Sequence, residues 1–168
     1  MNNKIKVVSI AILSMLVIYS IWFTFPKQHT KTLQGISYQL GNEEALQEVT
    51  ISIDGEVKRG LFAKKTFEGT LEIQGEELPV PIGERNITIK FNENGQGIIV
   101  YAGFSDGEPY TYYYGSIFAN DDFTKVTILK GSWHAKDGNM ITAPAKNYTE
   151  ALNISNELMK NFLRNPLK

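Results

Sequence analysis

The spacing of apolar residues changes character three times along the chain. From Val7 to Phe25 runs an uncharged stretch of 19 residues, VVSIAILSMLVIYSIWFTF. At 1.5 Å per residue it makes about 28 Å of helix, close to the hydrocarbon thickness of a bilayer. Lys4 and Lys6 precede it and Pro26 ends it. Tyr19, Trp22, Phe23 and Phe25 crowd its C-terminal end, where amphipathic rings favour the membrane–water boundary. The pattern predicts a short cytoplasmic tail over 1–6 and a transmembrane anchor over 7–26. The run is longer than the apolar core of a cleaved leader, and no small-x-small site follows it. Lys4, Lys6 and the amino terminus outweigh Lys27 and Lys31 beyond the span, which places the remainder outside the cytoplasm.

Residues 27–46 begin polar and read as a juxtamembrane linker, with one helical turn at Asn42–Leu46. Then the period becomes two. Val49, Ile51 and Ile53 alternate with Thr50, Ser52 and Asp54, and Asp54-Gly55 signals a hairpin into a strand holding Val57, Leu61 and Phe62. Further alternating runs fall at 70–74, 87–91, 98–101, 110–118, 123–129, 132–136 and 140–142. Asn94-Gly95, Asp106-Gly107 and Asp137-Gly138 mark turns between them, and Pro79 and Pro81 mark a connection, since neither can donate to a ladder. Short strands joined by tight turns predict a mainly β domain over 47–146. Its expected form is an antiparallel meander: a twisted sheet, a sandwich or a partly open barrel.

The third period is helical. Asn147 caps, with Glu150 three residues on, and Ala151, Leu152, Ser155, Leu158, Met159, Phe162 and Leu163 form one stripe before Pro166. A helix of this length is marginal alone, so the segment 147–165 must dock on the sheet through Leu158 and Phe162.

Composition narrows the chemistry. The chain has 168 residues, 17 Lys+Arg against 18 Asp+Glu and no basic run, which argues against a nucleic-acid partner. With no Cys, disulfides, thiolate metal sites and cysteine nucleophiles are excluded. No cofactor is implied. The runs Ile53–Phe62, Phe67–Leu71 and Ile141–Ala145 resemble those of a loose group of small, single-pass, uncharacterised proteins of Gram-positive bacteria. No activity is attached to that group, and nothing functional carries over from the resemblance.

Several local patterns suggest chemistry. Gly103-Phe104-Ser105-Asp106-Gly107 matches G-x-S-x-G, with Asp121 or Asp122 and His134 following in hydrolase order. The mechanism needs the serine on a strand-to-helix turn, though, and a Tyr-rich strand follows here. His29 and His134 lack metal-ligand spacing, and Asn120-Asp121-Asp122 reads as a solvated turn. Glu43-Glu44 and Glu76-Glu77 read as exposed charge, and Lys64-Lys65 as a solvated edge ahead of its other reading, a small basic spot for acidic lipid or wall polymer. The remaining feature is aromatic. Tyr110, Tyr112 and Tyr114 share one face of a strand and Tyr113 the other. Tyr113 and one even-numbered tyrosine are expected in the core, leaving another ring open as a binding surface. The sequence thus favours a membrane-anchored, extracytoplasmic, non-catalytic binding or accessory domain that meets an envelope protein or polysaccharide. The alternative is a small envelope hydrolase using convergent carboxylates.

Overall fold

The computed structural model describes residues 3–60, 65–76, 78–105 and 107–168. Helix α1 (Asn3–Thr24) is followed by eight strands: β1 (Lys27–Gln39), β2 (Asn42–Arg59), β3 (Lys65–Gln74), β4 (Asn86–Lys90), β5 (Gln96–Ser105), β6 (Glu108–Ala119), β7 (Val126–Lys130) and β8 (Asn139–Ala143). Helix α2 (Tyr148–Leu158) comes last, and a 3-10 turn at Ile82–Glu84 lies between β3 and β4. The strands form one antiparallel sheet in the order β4-β3-β2-β1-β8-β7-β6-β5. Because β1 pairs with β8, this meander curls until β4 and β5 stand side by side. They share no ladder, so the sheet is a nearly closed barrel with one seam.

Alternation along each strand divides the apolar residues between two cores. Ile51, Ile53, Phe67, Leu71, Ile89, Ile99, Tyr101, Ile117 and Ile128 point inward and fill the barrel. Ile36, Tyr38, Phe118, Leu129 and Met140 point outward from β1, β6, β7 and β8, where α2 lies across them. The helix is capped as its sequence predicts: the Asn147 side chain accepts from the Glu150 amide at 2.9 Å. Tyr148, Ala151 and Ser155 are its buried face, and Met159 is buried just past its end. At its centre four buried hydroxyls satisfy one another. Ser155 Oγ sits 2.8 Å from Thr142 Oγ1, 2.9 Å from the Tyr38 hydroxyl and 3.1 Å from Thr127 Oγ1.

The structure corrects several expectations. The segment 27–46 is no linker: Lys27–Gln39 is β1, and Asn42–Leu46 is the start of β2 rather than a helical turn. The strand runs straight through Asp54-Gly55. Gly55 faces Gly69 on β3, and a Cβ on either would strike the other strand's backbone, so this glycine serves close approach and not a turn. Residues 132–136 form loop and turn, and Phe123 takes a positive φ of 54° in the turn before β7. Helix α2 stops at Leu158 rather than 165, though Phe162 and Leu163 still pack beside it. Leu61 and Phe62 lie outside the described residues.

The expected anchor falls on α1, but among the described residues no helix is long and apolar enough to cross a membrane. The side chains of residues 3–6, Ile21 and Phe23 are outside the described set. Ser14, Ser20 and Thr24 turn their hydroxyls back onto helix carbonyls four residues earlier, at 2.8–2.9 Å.

Candidate functional site

The tyrosine strand shows how one bulge decides which residues meet solvent. Between Ile99↔Gly115 and Val100↔Tyr113 the register of β5 and β6 shifts, and Tyr114 is the extra residue. Gly115, at φ 155°, crowds the Leu129 carbonyl so closely that no Cβ fits. The bulge flips the alternation of β6, so that Tyr110, Tyr112 and Tyr114 face the barrel interior together with Ile117. Tyr114 is 5% exposed. Burial, with the Glu76 carboxylate nearby, pushes its phenol well above the ordinary range. Tyr110 and Tyr112 are half-buried against the same core. Tyr114 is thus the even-numbered tyrosine in the core, and Tyr110 and Tyr112 are partly buried beside it. Tyr113, expected in the core, is the exposed one.

Tyr113 belongs to a different surface. Opposite it on β5 stands Val100, and Ile98 and Phe104 point the same way. Their exposures are 49% for Tyr113, 39% for Val100, 43% for Ile98 and 68% for Phe104. Gln96–Ser105 contains no charged residue. The outward positions of β3, by contrast, are Thr66, Glu68, Thr70 and Glu72. An apolar strip thus climbs one wall of the barrel, while α2 covers another.

At its upper end the strip meets a groove of about 500 Å³ between Leu78–Pro81, Phe104 and Tyr110. Glu84 fixes this corner: its Oε2 accepts from the Phe104 amide at 3.2 Å and from the Tyr110 hydroxyl at 3.1 Å. Desolvation and that carboxylate raise the Tyr110 phenol. Gly103 admits Glu84, because a Cβ there would overlap the carboxylate. Lower on β5, Tyr101 spans the seam from inside and donates to the Leu71 carbonyl at 2.9 Å, with burial pushing its pKa up to about 12.

The other patterns do not converge. Ser105 ends β5 and pairs with Glu108, and its side chain and Asp106 lie outside the described residues. Asp121 and Asp122 follow the far end of β6, about 35 Å of strand away. No serine–aspartate pair can form across that length. Asp121 is held by Arg59 at 3.0 Å, and Asp122 is kept below the carboxylate range by the Thr124 hydroxyl. Glu76 is bound to Lys130 at 2.6 Å, and Glu77 is outside the described residues. His29 lies against Phe123, and desolvation lowers its pKa, while His134 bonds the Ser132 carbonyl. Among the described residues no three of His, Asp and Glu gather to hold a metal ion. At the end of α1, the Tyr19 and Trp22 rings lie tilted with centroids 6.4 Å apart, Lys27 Nζ lies 4.9 Å over the Trp22 ring, and Phe25 is exposed.

The fold and strip together define a small barrel domain with an apolar core and, among the described residues, an exposed apolar wall. No protein-family model, no curated protein and no solved structure matches the chain.

Proposed function

We propose that this protein is a non-catalytic binding or accessory domain of the cell envelope, held at the membrane by α1, whose β5–β6 wall docks a partner protein. The carrying observation is the apolar strip of Ile98, Val100, Phe104 and Tyr113 on a barrel whose β3 wall is polar. Contiguous exposed apolar surface of this kind marks interaction sites in stable domains. The barrel interior is packed with apolar side chains, which favours an outer surface for recognition. Anchoring is favoured by the uncharged run Val7–Phe25 and by the exposure of every described side chain from Val7 to Tyr19, an all-round apolar helix that needs apolar surroundings. Self-satisfied hydroxyls lower the cost of Ser14, Ser20 and Thr24 in lipid. The charge bias across α1 favours a body outside the cytoplasm. The group of single-pass Gram-positive proteins that the sequence resembles would share this plan.

A photo-crosslinking residue placed at Val100 in the full chain, in native membranes, tests the docking surface. It should join one discrete partner, whereas the same probe at Glu68 should not. Tyr113→Ser should remove the product without lowering the melting temperature. Equal labelling from both positions, or none from Val100, would overturn the docking reading. Release of the chain by alkaline carbonate would overturn the anchor.

A further inference from the structure

The pole of the barrel next to α1 holds a second feature. A concavity of about 940 Å³, open to solvent, lies between the β4–β5 hairpin and the loop after β6. Lys65 projects into its floor from the first residue of β3. The ammonium donates to the carbonyls of Asn120 at 2.9 Å and Ala119 at 3.1 Å, and sits 4.5 Å from the ring centroids of both Phe91 and Phe123. These contacts fix its position. None of these contacts is a carboxylate: among the described residues Lys65 is in no ion pair, and Asp121, itself paired with Arg59, and Asp122 act on the ammonium only from longer range. A cation withdrawn from water ordinarily has a counter-ion. Here it has a groove. Lys90, Asn94 and Asn161 line the same groove as further polar side chains, beside the acidic Glu93 and Asp121.

We propose that this groove is an anion site for phosphate groups carried on an extended polymer or a lipid headgroup, with Lys65 as its fixed charge and Lys90 at its rim. A phosphate presents several acceptor oxygens to donors converging from different sides. The volume far exceeds one carboxylate and suits a chain of phosphodiesters. Desolvation lowers the Lys65 pKa from 10.5 to about 8, so the bare site has lost part of what an anion would restore. The other charges facing Lys65 are Asp121, Arg59 and Asp122 from neighbouring segments, with Lys90 and Glu93 across the groove. This site stands apart from the β5–β6 wall and does not depend on the docking proposed there.

The test is a titration of the full chain in neutral detergent, with lysine labelled at 13Cε and the Lys65 resonance assigned by Lys65→Met. Three probes are compared: inorganic phosphate, soluble poly(glycerol phosphate), and vesicles of phosphatidylglycerol in place of the detergent. A phosphate probe should raise the Lys65 pKa by about one unit, the tenfold preference for the ammonium expected of an added charge contact. Affinity for that probe should fall at least tenfold in Lys65→Met and several-fold in Lys90→Gln, which alters only an exposed rim. A shift with the soluble polymer in detergent identifies a free polymer, and a shift with vesicles alone identifies a headgroup. Either supports the site. An unmoved Lys65 resonance with all three probes would overturn it, as would wild-type affinity in Lys90→Gln together with Lys65→Met.

Discussion

Lys65 also makes a sharp prediction about stability. In the unfolded chain its amine titrates near 10.4, whereas in the barrel burial brings it to about 8. Between these values the unfolded chain holds a proton that the folded chain has released. Stability must therefore rise with pH across this window, and this group adds no slope below it. The gap corresponds to at most about 3 kcal/mol, and screening of the solvent-facing part of the groove reduces it to roughly 1–2 kcal/mol. Above pH 10 the sign reverses, because the raised pKa values of Tyr101 and Tyr114 keep their phenols protonated while the unfolded chain ionises. Urea unfolding of the full chain between pH 7 and pH 10 should show the midpoint climbing above pH 8 at constant slope. Lys65→Met should be flat there. A flat wild type, or a Lys65→Met variant that keeps the climb, would refute the assignment of this pH dependence to Lys65.

Two further perturbations test the architecture. Met159 is fully buried between α2 and the outer sheet face, so Met159→Ala should cost about 2–5 kcal/mol, read by chemical unfolding. An unchanged midpoint would mean that α2 is not docked. Gly35 lies where β1 meets β8, and a Cβ there overlaps the Thr142 carbonyl and Ala143, which are backbone-bound and cannot yield. Gly35→Ala should destabilise by about 1–3 kcal/mol or more, and a loss below about 0.5 kcal/mol would show that β1 and β8 are not paired as closely as described.

Local rules were legible wherever a residue's role depended on its neighbours in sequence. Period-two runs marked most of the strands, Asn94-Gly95 a turn, and Asn147 with Glu150 the start of α2, because alternation and capping act within a few residues. The sequence also determined the absence of thiol chemistry and the uncharged run that α1 contains. The rest needed the partners. The apolar residues of β1 alternate weakly because Leu33 serves the inner core while Ile36 and Tyr38 serve the outer one, so the strand reads as a polar linker until α2 is in place. Asp54-Gly55 looks like a turn until Gly69 is seen across from it. The faces of the tyrosines were decided by a single extra residue at Tyr114, which reversed the alternation and exchanged Tyr113 for its neighbours at the surface. Lys65 looked like a solvated edge residue. Only closure of the sheet brought Phe91, Phe123 and two carbonyls from distant segments around its ammonium, and a bulge or a cage of that kind depends on which strands meet, which no local pattern records.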